Sequence, residues 1–402
     1  MTSGPLTGIR VVDLSRVLGG PYCTQVLADY GADIIKIEPP QGDETRGWGP
    51  PFKDGLSAYF SGANRNKRSI GIDVGKPEGR TVVLKLLESA DVLVHNFKSG
   101  TLEKWGLGYD QVLQALFPKL VLCHVTGFGA DGPLGGHPGY DAVVQAMTGL
   151  MSINGDPGNG PVRMGTPVVD IGTGLIACNA ILAALIERGR SGLGQKIEVP
   201  LYDCAISMLH PQAANALMSG KIPVATGNGH PNIVPYDMFE TRTGKIYLAV
   251  GNNGQFAKLC AVLKRPDIAV DARFVDNAAR IAHRRELGEL LTQCLAELEA
   301  ETLEHMLLNA GVPTGVVRNV SEALAHPHTI HRNMVVKMGN YSGTGIPALF
   351  GRTPGSIRSA PPSFGQDSRC ILLESGYSEA QIAQMEEQAI VFGAGENETG
   401  QV

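Results

Sequence analysis

Asp170 sits in the run Met164-Gly-Thr-Pro-Val-Val-Asp-Ile-Gly-Thr-Gly174, just ahead of a long apolar stretch. A carboxylate there has two uses. It can cap the helix that the apolar stretch predicts, because Asp is favoured at an N-cap. It can also serve as a reactive carboxylate held at the positive end of that helix, with glycines allowing close approach of a substrate. A second group of residues carries charge. Arg16, Lys98 and Lys104 each follow the C-terminal end of a predicted strand, the edge at which open parallel sheets bind ligands. Asn64-Arg-Asn-Lys-Arg68 is a basic run that alone reads as a solvated face; set with the other cations it suits a polyphosphate. Gly127-Phe-Gly-Ala-Asp-Gly132 matches GxGxxG, yet Pro133 and a Gly-Pro-rich stretch stand where a helix N-terminus would have to receive a pyrophosphate. It reads as a turn. His326, His328 and His331 read as a helix end with surface histidines, so no metal site is expected.

The elements that must position these residues follow from hydrophobic periodicity. Ile9–Leu14, Ala32–Glu38, Ser69–Val74, Asp91–Asn96, Leu120–Thr126 and Gln195–Val199 are short apolar runs and predict strands. Between them, Pro21–Tyr30, Pro77–Ala90, Tyr140–Leu150 and Asp170–Arg188 carry helical spacing. Strands alternating with helices predict an α/β fold, a large Rossmann-like domain with a mostly parallel sheet. Leu201–Ser219 reads as one long helix. Tyr236–Val250 reads as two strands about a turn at Thr243-Gly244, followed by helices at Gly254–Leu263, Arg280–Leu298 and Thr302–Ala310. The expected organisation is a large domain over 1–224, a smaller α+β domain over 225–330, a segment over 331–392 that returns to the large domain and contains a helix at Ser378–Gln388, and a tail over 393–402.

Composition removes other classes. With 43% hydrophobic and 18% charged residues the 402-residue chain is neither disordered nor a coiled coil, and its length favours two domains. A net charge of −5 argues against a nucleic-acid partner. Seven widely spaced cysteines without CxxC fit reduced thiols in a cytoplasm better than a disulfide framework. No signal peptide is visible at the start. The apolar stretch Leu175–Ile186 is too short to span a bilayer and predicts a buried helix, so no membrane partner is expected.

Asp13-Leu-Ser-Arg-Val-Leu-Gly-Gly-Pro21 with Leu27-Ala-Asp-Tyr-Gly-Ala-Asp-Ile-Ile-Lys-Ile-Glu-Pro-Pro40 resembles the N-terminal signature of the class III CoA-transferases, the family of formyl-CoA and carnitine CoA-transferases. The resemblance continues through Asn66-Lys-Arg-Ser-Ile70, Val94-His-Asn-Phe97, Pro138-Gly-Tyr-Asp141, the Asp170 motif and Gly227-Asn-Gly-His-Pro231, over roughly 1–375. It implies an acyl-CoA:carboxylate CoA-transferase in which Asp170 attacks the thioester and passes through a mixed anhydride and an aspartyl-CoA thioester. It places CoA, a substrate and not a tightly bound cofactor, on Arg16, Ile72, Asp73, Val74, Gly75, Asn96, Phe97, Lys98 and Lys104. Gly227, Asn228, Gly229 and His230 fall on the family's glycine loop, and Tyr140 on the acyl pocket. Leu18 stands where formyl-CoA transferase has a glutamine, which speaks against oxalate. Succinyl-CoA and small dicarboxylic acids are the expected substrates, with Arg65 or Arg163 offered for a distal carboxylate. The family also implies an interlocked homodimer. Two other functions share parts of this pattern. An α-methylacyl-CoA racemase needs a second base, where this chain has Tyr140, a poor base at neutral pH. A non-catalytic CoA sensor would bind CoA without exchange.

Overall fold

The structure is a computed structural model, and residues 4–393 are described. Two compact units emerge from the contacts within the chain. One comprises 1–148, 164–210 and 330–402; the other comprises 149–163 and 211–329. The second unit therefore begins at Pro211, where the sequence reading drew a border near 225, and also takes in a short excursion at 149–163.

The first unit is built on a seven-stranded sheet. Its six parallel strands are Arg10–Asp13, Asp33–Glu38, Lys67–Ile72, Val92–His95, Val121–Thr126 and Lys196–Pro200. Numbered along the chain, they lie in the order 3-2-1-4-5-6, the doubly wound arrangement. Their runs are short and rich in Val and Ile because helices cover both faces, so inner residues of both orientations are buried. Val11 pairs with Ile34 on one side and Val92 on the other, at the point where the winding reverses. A seventh strand, Val391–Phe392, joins antiparallel against Ile72 and Gly71 and covers the edge of the third strand. The sequence reading did not anticipate it. Two residues carry no periodic signal, and the strand lies just ahead of the expected tail; of that tail, 394–402 lie outside the described residues.

The core of this unit gathers Val12, Leu14, Ile35, Ile37, Ile70, Ile72, Val82, Leu86 and Leu93 with Leu372 and Ile382 from the C-terminal helices Ser368–Glu374 and Glu379–Glu387. The apolar stretch after Asp170 forms a 24-residue helix, Val168–Ser191. It is twice the length of the buried stretch read from sequence, and among the described residues it is long and apolar enough to cross a membrane by length and composition. Its N-terminal half packs on the first helix, Gly19–Asp29, through glycines: a β-carbon at Gly174 would come within 2.7 Å of the Gly19 carbonyl oxygen.

The second unit carries a three-stranded antiparallel sheet in the order Thr314–Val316, Gly244–Ala249, Tyr236–Thr241. Ile246, Leu248, Phe256, Leu259, Leu287, Leu291, Leu303 and Leu307 form its core. Two expected helices are each broken in two. The stretch 201–219 divides into Leu201–Ser207 and Gln212–Ser219, because Pro211 has no N–H to continue the helical ladder. The stretch 280–298 gives Asn277–Ala282, capped by the Asp276 side chain, and Arg284–Leu295. Between the two halves His283 leaves helical geometry, and Arg280 is fully buried, donating to the Val234 and Phe274 carbonyls.

Candidate active site

The reversal of winding falls between the strands Arg10–Asp13 and Val92–His95, so the crevice beyond their C-terminal ends is the place where such sheets bind ligands. The chain segments leaving these strands are tied together there. The Arg16 amide donates to Asn96 Oδ1 at 2.8 Å, and Asn96 Nδ2 donates to the Arg16 carbonyl at 2.7 Å. Two neighbouring hollows open above this bridge. One, of about 220 Å³, is lined by Arg16, Leu18, Glu44, Thr126, Tyr140 and Asp170 among others. The other, of about 580 Å³, is lined by Pro39, Ile72, Asp73, Val74, Gly75 and Trp105. Arg16, Phe97 and Lys98 line both and form the neck between them. Phe97 meets Trp105 edge to face with ring centres 5.1 Å apart, giving the larger hollow an aromatic wall.

Asp170 is not the cap of its helix. It stands at the third helical position, and Pro167 is the N-cap without a side-chain bond. The cap is supplied from another helix, Asp141–Met147: Asp141 Oδ1 accepts the amides of Val169 at 2.8 Å and Asp170 at 3.3 Å. Asp141 is itself buried and takes a bond from Gln145 Nε2 at 2.6 Å. The plain reading of Asp170 from sequence thus belongs to Asp141, 29 residues earlier, and the Asp170 carboxylate is left facing the smaller hollow. It hydrogen-bonds to none of the cations there. Burial, and to a lesser degree the charge of Asp141, push its pKa up to about 7. A β-carbon at Gly19 would lie 3.7 Å from Asp170 Oδ1, so the glycine leaves the face of the carboxylate open. Tyr59, which the sequence did not single out, feels the charges of Asp170, Asp141 and Asp43. With burial as the larger cause, its phenol is pushed up to about 12 and stays protonated.

Of the residues expected to hold CoA, Arg16, Ile72, Asp73, Val74, Gly75, Asn96, Phe97 and Lys98 line one hollow or both. Lys104 is exposed at the end of the short helix Thr101–Lys104 and lines neither. Tyr140 lines the smaller hollow and is 58% exposed. Gly227, Asn228, Gly229 and His230 belong to the second unit. Within that unit their turn is held by the Thr226 hydroxyl donating to the Gly229 carbonyl and by Tyr247 donating to the Asn228 carbonyl, each at 2.6 Å. Arg284 donates to the His230 carbonyl at 2.8 Å.

The basic run is not a solvated face and does not join the anion site. Arg65 is buried and forks onto Asp29, with Nη2 to Oδ2 at 2.7 Å, and also donates to the Thr344 carbonyl. Lys67 is buried against Asp13, the Pro21 carbonyl and Asn64, and its burial lowers its pKa to about 8. Arg68 pairs with Asp33 and Glu374. Arg65 therefore has no free fork for a substrate, and Arg163, though exposed, lies in the second unit. The GxGxxG match runs into turns, and the next helix starts only at Asp141. Among the described residues no group of His, Cys, Asp and Glu gathers to hold a metal.

These features place the chain among α/β proteins that take nucleotide-bearing ligands at a switch point. Comparison with known proteins gives the particular family. The description "CoA-transferase family III" matches residues 6–368, and the chain belongs to that family. It is similar to the succinate–glutarate CoA-transferase of Agrobacterium fabrum, 43% identical over 92% of this chain and 95% of that one. It is 37% identical to the succinyl-CoA:glutarate CoA-transferase of Mus musculus, over 92% of this chain and 86% of the mouse protein. The solved structure of a CAIB/BAIF family protein from Brucella suis superposes with a TM-score of 0.84 at 41% identity, covering 93% of this chain and all of that one. The protein is a CoA-transferase, acting between an acyl-CoA and a carboxylic acid.

Proposed function

We propose that the protein transfers CoA from succinyl-CoA to a second small dicarboxylic acid, with Asp170 as the covalent nucleophile. One observation carries the reading. A desolvated carboxylate, hydrogen-bonded to no cation, faces a hollow that continues past Arg16 and Lys98 into a larger one walled by Phe97 and Trp105. An acyl group suits the first hollow and the nucleotide of CoA the second. The names of the Agrobacterium and mouse relatives, which pair succinate with glutarate, support the choice of acids. Leu18, an apolar wall of the smaller hollow, suits a methylene chain better than oxalate.

The chemistry follows from the carboxylate. An Asp170 oxygen attacks the thioester carbonyl, the C–S bond breaks, and CoA leaves as thiolate with the aspartyl–acyl anhydride behind it. The thiolate then attacks the aspartyl carbonyl and releases the first acid, leaving an aspartyl-CoA thioester. The second acid attacks that thioester and expels the thiolate, which attacks the new acyl carbonyl and regenerates the Asp170 carboxylate. Each step conserves an activated acyl bond, so water must be kept out. Tyr59, kept as a neutral phenol, is a hydroxyl donor suited to a developing oxyanion. A test with purified protein is the appearance of glutaryl-CoA and free succinate from succinyl-CoA and glutarate in equal amounts. Binding of CoA with no exchange between any acyl-CoA and any free acid would instead favour a sensor.

The working unit in this reading is a homodimer in a reducing cytoplasm. Leu217, Met218 and Ile222 are each nearly fully exposed in the single chain, as is much of Ile186 on the long helix, and a second chain would cover such side chains. The urea midpoint of unfolding is then expected to rise with protein concentration. A midpoint independent of concentration over two decades would count against a dimer whose folding and association are one event.

A further inference from the structure

The hollow that holds Asp170 contains a cation whose hydrogen-bonding capacity is largely unspent. We infer that Arg16 reads the second carboxylate of a dicarboxylic acyl group and is the residue that selects diacids over monoacids; this rests on the CoA-transfer reading given above.

The Arg16 backbone is fixed, while its guanidinium is not. Its amide and carbonyl are both bonded to the Asn96 side chain. The next residue, Val17, has a φ of 68°, a left-handed conformation that a β-branched residue adopts only under strain. This turn carries the chain from Arg16 to Gly19, which borders the Asp170 carboxylate. The guanidinium lies 5.7 Å from the centre of the Phe97 ring and meets one anion, Glu44, through Nη1 at 3.8 Å, the outer limit of an ion pair. Both side chains are about two-fifths exposed. Arg16 Nε is buried without a hydrogen-bond partner. A carboxylate takes two N–H groups of an arginine side by side. Among the described residues the Arg16 guanidinium donates no hydrogen bond, its outer nitrogens are partly exposed on the hollow, and a small turn of the side chain would bring the unpartnered Nε to the same ligand. Arg65 shows the contrast within the same unit, since its Nε and Nη2 are both spent on Asp29. The other basic side chains lining the Asp170 hollow are Lys98, exposed and shared with the nucleotide side, and the imidazole of His137.

Glu44 sharpens the selection. It lines the same hollow, so an entering diacid meets its repulsion unless Arg16 offsets it. A monoacid leaves the Arg16–Glu44 pair as it stands, and a diacid draws Arg16 away from Glu44 into a closer, two-bonded contact.

The experiment compares isotope exchange of labelled succinate with succinyl-CoA and of labelled butyrate with butyryl-CoA. The two acyl groups have the same chain length, and the CoA is identical. Wild type is expected to favour the succinyl pair. Arg16→Ala is expected to reduce the succinyl-to-butyryl ratio of kcat/KM about 100-fold, the loss of a charged two-bond contact. Arg16→Lys should recover part of the ratio. Glu44→Gln should raise it in the wild-type background and partly restore it beside Arg16→Ala, which keeps the test decisive if one single variant folds poorly. An equal fall of both exchanges in Arg16→Ala, in step with weaker binding of CoA itself, would assign Arg16 to the phosphates of CoA and overturn the inference. A wild-type enzyme that exchanges butyrate as well as succinate would overturn the diacid reading before any variant is made.

Discussion

Asp170→Ala is expected to lower the rate of CoA exchange by about 10⁴-fold or more while the protein still binds CoA. The size follows from the proposed role of Asp170 as nucleophile. Without the carboxylate no anhydride forms, and the remaining route is direct attack of one free acid on the thioester of another, which lacks both the held nucleophile and the conserved intermediate. CoA binding should persist, because the residues around the larger hollow, Ile72 to Gly75, Phe97 and Trp105, lie on other segments of the chain. The decisive measurement is the mass of the intact protein after brief mixing with succinyl-CoA, followed by hydroxylamine, which cleaves acyl anhydrides and thioesters and leaves a hydroxamate on the carboxyl it attacks. Wild type should carry one modification that maps to Asp170, and Asp170→Ala should carry none. Mapping to Asp141 or Glu44 would move the nucleophile elsewhere in the site. Asp170→Glu makes the same point through distance: one further methylene misplaces the attacking oxygen by more than 1 Å, and a loss of about 10²-fold or more is expected.

How far this site could be read in advance depended on the separation of its parts along the chain. The inner strands were legible because each is a short run rich in Val, Ile and Leu and buried on both faces, and Arg16 and Lys98 were placed at the right edge by counting from the strand ends. The same count placed Lys104 there, which lines neither hollow, and Asn96 came only through the family likeness. Asp170 stood out through its motif. Its neighbour Asp141 did not show itself as a cap. The amides it accepts are 28 and 29 residues away, and nothing local marks such a bond. The basic run was misread for the same reason. The partners of Arg65 and Lys67 lie 36 and 54 residues earlier, so five polar or charged letters in a row gave no sign that Asn64 to Lys67 would be buried and paired. Pro211 was the reverse case. The rule that would have broken the expected helix was available in the sequence, and the apolar spacing on either side concealed it. Gly227 to His230 could be recognised only through family likeness, since a turn held by Thr226 and Tyr247 has no period.

The elevated pKa of Asp170 has consequences for activity and stability that run in opposite directions with pH. For activity, the proposed mechanism lets only the ionised carboxylate attack. With a pKa of about 7 in the free enzyme, kcat/KM should rise about tenfold per unit below that value and level off above it. Asp141→Asn should move this rise to lower pH, because it removes the like charge while leaving a carbonyl oxygen for the Val169 amide; Gln145 must turn its amide to suit. For stability, the folded state holds Asp170 at about 7 against 3.8 for the ordinary group, so folding favours the protonated form. That contribution is fully present below about pH 4 and is lost as pH rises through 7. Asp170→Asn cannot ionise and does not suffer the loss. Its stability relative to wild type should therefore grow between pH 4 and 7 and stay constant above. A shift of about 3 units corresponds to about 4 kcal/mol in a closed interior. Asp170 is partly open to its cleft, so about 1–2 kcal/mol is the expected gain after solvent screening. Urea midpoints of the two proteins at pH 5 and pH 8 measure it. A difference that does not change with pH would return Asp170 to the ordinary carboxylate range and remove the desolvation on which its reactivity depends. A gain larger at pH 8 than at pH 5 would mean that the carboxylate proposed to attack the thioester is held in its ionised form at a cost to the fold.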